Sequence, residues 1–126
     1  MDKNLKIWIR LMQVFEKYWG CHQMPERSLF IKGYQFPICA RCTGILIGEV
    51  IFIISVCFSI YIPFIFSFIM TLPMVIDGLI QLKTKYRSTN KRRLITGLLF
   101  GYGFFSLLCY LIAQMIMLFQ LRCILF

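Results

Sequence analysis

The sequence predicts an all-α integral membrane protein, with three transmembrane helices preceded by an amphipathic N-terminal helix and a Cys/His-containing cytoplasmic loop. Three observations predict it. Of 126 residues, 60% are hydrophobic and 15% charged, with mean hydropathy +0.77, whereas soluble domains run to about half and a quarter. Segments 43–60, 62–82 and 94–118 are apolar and close to the roughly 20 residues that cross a bilayer core. The charges gather in two blocks beside those segments rather than over a whole surface. The length fits one membrane domain over 1–126.

The elements follow in order. In 1–19, Ile7, Leu11, Val14, Phe15 and Tyr18 recur at helical spacing among Lys3, Lys6, Arg10 and Lys17. Such a helix either lies in the membrane interface, with Trp8 and Trp19 at headgroup depth, or packs its apolar stripe on the bundle. It lacks the uninterrupted apolar core and the small-residue cleavage site of a signal peptide, and Gly20 is its expected stop. Residues 20–42 form the Cys/His loop. The first span, 43–60, is near the short limit. The second, 62–82, carries Pro63 and Pro73, and Tyr61 and Pro63 leave only a tight turn before it, so the first two spans are expected as an antiparallel hairpin. A basic loop, 83–93, leads to the third span, 94–118. No internal repeat is evident.

The net charge of +9 would suit nucleic acid, but its placement argues against that partner. Lys3, Lys6, Arg10, Lys17, Arg27, Lys32 and Arg41 precede the first span, and Lys83, Lys85, Arg87, Lys91, Arg92 and Arg93 join the second to the third. Only Arg122 lies beyond the third. The positive-inside rule puts the amino terminus in the cytoplasm and the carboxyl terminus outside a cell (inner/cytoplasmic) membrane. The lipid bilayer is thus the first partner.

Three of the six cysteines and the one histidine fall just before the first span, at Cys21, His22, Cys39 and Cys42. Cytosolic thiols are held reduced, which disfavours a structural disulfide there. Cys39 and Cys42 form a C-x2-C knuckle able to chelate one tetrahedral ion, and Cys21, His22 or both complete the set. Soft ligands of this kind favour Zn2+, with iron or copper as alternatives. Adjacent residues chelate awkwardly, so one reading has Cys21 bind the ion while His22 moves protons and one coordination position stays open. Two other readings stand beside this one. A structural zinc would only staple the loop, and a C-x2-C pair with Arg41 between its thiols also suits thiol–disulfide exchange. Cys57, Cys109 and Cys123 read as small apolar residues.

Ionisable groups inside a bilayer are costly and usually face an interior. Glu49 lies on the Cys42 face of the first span, and Asp77 lies in the second with Gln81 one turn on. Both acids fall near the cytoplasmic boundary, within reach of arginines, and Arg92 and Arg93 are the natural partners of Asp77. Gly44 and Gly48 in the first span, and Gly97 and Gly101 in the third, give G-x3-G faces that let helix backbones approach closely.

The run Cys21-His22-Gln-x-Pro25-Glu26-Arg27-Ser28, then Gly33-x-Gln-Phe36-Pro37-x-Cys39-Ala-Arg41-Cys42-Thr43-Gly44, resembles the signature of the Domain of Unknown Function 2085 family of small prokaryotic membrane proteins. The resemblance continues through Asp77-Gly78, Gln81, Ser88, Asn90, Arg93, Thr96-Gly97 and Gly101. It implies a polytopic membrane protein and brings no activity with it. Placed on the topology, its blocks meet at the cytoplasmic ends of their segments. The leading expectation is therefore a metal-dependent enzyme at the cytoplasmic interface. Cys21, Cys39 and Cys42, with or without His22, would hold the metal, and the catalytic residues would be His22 and Asp77, the latter as acid/base or as an orienting group. Arg27, Arg41, Gln81 and Arg93 would bind a lipid or other anionic, phosphate-containing ligand. The alternatives are a non-enzymatic accessory or assembly protein with a structural zinc, a homo-oligomeric metal-ion transporter, and a thiol–disulfide redox protein.

Overall fold

The structure, a computed structural model, describes the backbone of residues 3–21, 23–31, 33–84, 86 and 88–125, with side chains for all of these except 3, 4, 19 and 121–125. Among them are helix α1 (Lys3–Trp19), strands β1 (Ser28–Ile31) and β2 (Tyr34–Cys39), and helices α2 (Ala40–Cys57), α3 (Phe64–Lys83) and α4 (Asn90–Leu125). Three helices are long and apolar enough to cross a membrane, over Ala40–Cys57, Phe64–Lys83 and Asn90–Gln120.

Helix α1 ends at Gly20, whose φ of +60° is the left-handed conformation that stops helices and that glycine adopts without strain. It touches the rest of the protein chiefly through β2. Trp8 meets the Tyr34 ring edge-on at 6.3 Å, and the Gln23 amide donates to the Met12 carbonyl at 2.6 Å. Ile7, Leu11 and Val14 stay exposed, so packing of this stripe on the bundle is not what the fold adopts.

The segment 20–42 is more ordered than the irregular loop expected of it. A 3-10 turn at Pro25–Arg27 leads into an antiparallel hairpin, with Ser28 opposite Cys39 and Ile31 opposite Tyr34. Gly33, at φ +82°, makes its tight turn. The β-rich residues Leu29-Phe30-Ile31 and Tyr34-Gln35-Phe36, either side of a glycine turn, were the available signal. Helix α2 starts at Ala40, three residues before the boundary expected at 43, so Cys42 sits in its first turn rather than in a loop. Helix α4 likewise starts at Asn90, before the expected 94, because Thr89 caps it through its hydroxyl, which accepts from the Arg92 N–H at 3.4 Å.

The packing order also differs from a hairpin of the first two spans. Helix α4 is the one both neighbours touch, and α2 and α3 have little direct contact. The glycines explain this choice. A Cβ at Gly44 would strike the Leu94 carbonyl and one at Gly48 the Leu98 carbonyl, while Cβ atoms at Gly97 and Gly101 would strike the carbonyls of Arg41 and Ile45. Two small-residue faces thus interlock reciprocally and bring the α2 and α4 backbones into contact, as small residues permit in lipid. On the other side of α4, Gly103 lies against Ser67, and the Ser67 and Ser106 hydroxyls share a hydrogen bond of 2.9 Å. Helix α4 has 36 residues and so is about 54 Å long, whereas the 18 residues of α2 span about 27 Å. Its distal turns run on past both neighbours with Met115, Ile116 and Phe119 exposed.

Candidate metal centre and arginine cleft

Three elements carry the thiols. Cys21 follows the turn at Gly20 and is 4% exposed, Cys39 ends β2, and Cys42 lies one helical turn later in α2. The strand-to-helix junction points the Cys39 and Cys42 side chains to one place, where the Cys39 N–H donates to the Cys21 sulfur at 3.2 Å. All three Sγ atoms lie within 4.8 Å of one another. Zn–S bonds of about 2.3 Å put tetrahedral sulfurs about 3.8 Å apart, so an ion would draw this cluster in by no more than about 1 Å. The thiols are free. The Cys42 thiol donates to Cys39 and, with further help from the Cys42 and Arg41 amides and from Cys21, holds Cys39 below the usual thiol range despite burial. In metal-free protein Cys39 is therefore expected to be the first of the three alkylated by iodoacetamide at neutral pH. The rate should fall as acid protonates the thiolate, and mass mapping that finds Cys39 the slowest would contradict this.

The Cys21 segment is tied to the hairpin by side chains that residue chemistry alone did not single out. The Gln35 amide donates to the Gln23 carbonyl at 2.6 Å and to the Ser28 hydroxyl at 3.2 Å, and that hydroxyl donates to the Met24 carbonyl at 3.0 Å. The Asn90 amide donates to the Ser28 carbonyl at 3.2 Å and so attaches the start of α4 to the hairpin. Their signal was indirect, since Ser28, Gln35 and Asn90 all fall within the blocks that carry the family resemblance.

Behind the thiols a polar chain links the three spanning helices. Asp77 on α3 is 2% exposed, and its Oδ2 accepts from Arg41 of α2 and from Gln81, both at 2.6 Å. The Gln81 carbonyl oxygen accepts from Arg93 of α4 at 3.2 Å, and Arg92 approaches the other Asp77 oxygen at 3.8 Å. The i, i+4 spacing of Asp77 and Gln81 puts both on the α3 face toward α2 and α4.

A cleft of about 160 Å³ gathers most of the residues singled out from sequence. Cys21, Cys39, Cys42, Arg27, Arg41, Gln81 and Arg93 all line it. Asp77 does not; it lies behind, under Arg41 and Gln81. That placement suits an orienting carboxylate better than one exchanging protons with a ligand. His22 lies outside the described residues. Glu49 is half-buried and joins neither the thiols nor the Asp77 chain among the described residues. A larger cavity of about 470 Å³ lies at the far end of the bundle, walled by Phe52, Tyr61, Tyr102 and Tyr110, and shares no residue with the cleft.

Comparison with known proteins agrees with this picture of a membrane protein. The chain belongs to the family described as predicted membrane protein (DUF2085), whose model matches residues 21–107. The match covers every cleft residue from Cys21 to Arg93 and omits α1 and the distal part of α4. An uncharacterized protein of Methanocaldococcus jannaschii is 42% identical over 88 residues, which are 65% of this chain and 56% of that protein. The chain thus spans little more than half the length of this relative. An uncharacterized protein of Methanothermobacter thermautotrophicus is 34% identical over 90 residues, which are 66% of this chain and 78% of that protein. No solved structure matches the chain.

Proposed function

We propose, from membership of a membrane-protein family and from the three converging thiols, that the chain carries a zinc centre at the cytoplasmic membrane interface and acts there as a metal-dependent enzyme on a lipid or other anionic substrate. One observation carries the reading: three clustered cysteine sulfurs, close enough to share one ion, and three arginines line the same small cleft. Cys21, Cys39 and Cys42 would hold the ion. Three protein ligands leave a tetrahedral zinc one further position, the arrangement typical of catalytic rather than closed structural sites. The bound ion would supply Lewis acidity toward a substrate oxygen or a water molecule. Arg27, Arg41 and Arg93 would attract the anionic group, and Asp77 and Gln81 would fix Arg41 and Arg93 in place. The cytoplasmic side follows from the distribution of lysine and arginine.

A structural zinc is the competing reading, and the ties from Cys21 to the hairpin and on to α2 support it, since an ion there would staple all three. The two differ at the fourth position, which in a closed site His22 would fill. The test is elemental analysis of detergent-purified protein beside the Cys39→Ser and His22→Ala variants. The enzyme reading predicts about one zinc per chain, retained in His22→Ala and lost in Cys39→Ser. Full zinc content in Cys39→Ser would dispose of both readings, and zinc lost in His22→Ala would favour the closed site.

A further inference from the structure

Three features of the cleft bear on what it takes in. The first is charge. Arg27, Arg41 and Arg93 line the cleft without a carboxylate among the described lining residues. The Asp77 carboxylate behind it and a zinc tris-thiolate would each contribute one negative charge, which leaves the site cationic. The second is unsatisfied donors. Arg93 is 5% exposed, yet its Nε–H, like that of Arg41, is buried and finds no acceptor among the described residues. Charged groups are kept this far from water when something compensates them. The third is size. At about 160 Å³ the cleft is below the roughly 300–1,000 Å³ of sites that enclose whole small molecules. It admits one compact charged group whose remainder stays outside.

We propose that the cleft binds a phosphate group, with one oxygen directed to the metal held by Cys21, Cys39 and Cys42 and the others to Arg27, Arg41 and Arg93. This rests on the metal-centre reading and names the substrate class for it. A planar carboxylate offers two oxygens, whereas a terminal phosphate offers three in a tetrahedral spread. That spread matches acceptor-seeking groups that come from the Pro25–Arg27 turn, from α2, from α4 and from the thiol cluster. Guanidinium groups fixed from behind, as Arg41 is by Asp77 and Arg93 by Gln81, suit such oxygens because their donors are already oriented. The cleft lies where α2 and α4 begin and α3 ends, and the ends of membrane-spanning helices fall at the depth of lipid headgroups. The phosphate therefore belongs either to a lipid monoester or to a free ion.

Inorganic phosphate titrated calorimetrically into zinc-loaded protein in detergent tests this. Binding should weaken by about tenfold or more in Arg27→Ala, where an exposed residue is changed and folding is not at risk, and also in Arg93→Gln. It should fall similarly in metal-free protein. Nanodiscs of phosphatidylcholine with and without phosphatidic acid separate the sources. Loss of inorganic phosphate binding only with phosphatidic acid identifies a lipid headgroup, and unchanged binding identifies the free ion. Zinc-loaded protein that binds no phosphate at millimolar concentration, or binding that Arg27→Ala and Arg93→Gln leave intact, overturns the phosphate site while the metal centre stands. Phosphate binding indifferent to zinc removes the metal from the site. Protein that takes up no metal refutes the metal-centre reading itself, whatever phosphate does.

Discussion

Replacement of Gly97 by leucine is expected to cost about 3 kcal/mol of stability and to lower metal uptake by the thiol cluster. A Cβ there would fall on the carbonyl oxygen of Arg41, with the Arg41 carbonyl carbon at 3.2 Å and the Gly44 Cα at 3.3 Å. All these atoms belong to backbone, which cannot rotate aside, so α2 and α4 must separate. Separation undoes the whole reciprocal face, because Gly44, Gly48 and Gly101 contact the opposing backbone as closely. It also dismantles the cleft, since Arg41 and Cys42 lie in the first turn of α2 and Arg93 in the first turn of α4. Gly78 is the matched control. A Cβ there meets nothing within 4 Å, so Gly78→Ala should be neutral or gain up to about 1 kcal/mol from helix propensity. Thermal unfolding in detergent reads both, and a Gly97→Leu protein as stable as its parent would refute the interlocked packing.

Asp77→Asn is expected to be the most damaging isosteric change, at about 3 kcal/mol. The carboxylate is 2% exposed and is the acceptor for both Arg41 and Gln81. Its loss leaves Arg41, itself three-quarters buried at 25% side-chain exposure, without its counter-charge, and that residual exposure keeps the cost near the lower end of the range for broken buried pairs. Asparagine retains the shape and can keep a carbonyl where Oδ2 stood, but the acceptor is then neutral and its NH2 is turned toward Arg92, a donor it cannot accept from. The double variant Asp77→Asn/Arg41→Gln should lose less than the sum of the single changes, since the two positions act as a pair. Glu49→Gln, at a half-buried acid outside the network, should cost less than about 1 kcal/mol. Asp77→Asn should leave zinc bound, because Asp77 is not among the clustered ligands. Equal stability of Asp77→Asn and Glu49→Gln would mean that the polar chain across the three helices contributes little.

Much of this site could be read from the chain before any coordinates. Membrane topology alone brings the thiols, Asp77, Gln81 and Arg93 to one end of the bundle, because antiparallel helices return their ends to the same side. What topology does not supply is lateral order. Nothing in hydropathy says that α4 sits between α2 and α3; that follows from which glycines face which carbonyls, a matter of atomic contact. The same limit applies to depth. Gln81 one turn on already set Asp77 apart from Glu49 in the sequence, but that Arg41 of α2 is its close partner is again a matter of atomic contact. The hairpin of β1 and β2 was hidden differently. Its strands are four and six residues long beside three dominant apolar helices, and a pair that short is marginal alone. It persists because Gln35, Ser28 and Asn90 tie it to the Cys21 segment and to α4.

Whether Cys21, Cys39 and Cys42 bind one ion together decides what the cleft is. X-ray absorption at the zinc edge of the purified protein measures this without reference to any activity. The expected spectrum fits three sulfurs at about 2.3 Å and one oxygen or nitrogen at about 2.0 Å. In Cys39→Ser the zinc should be lost. Zinc absent from the purified protein, or present in a shell of oxygen and nitrogen alone, would contradict the account.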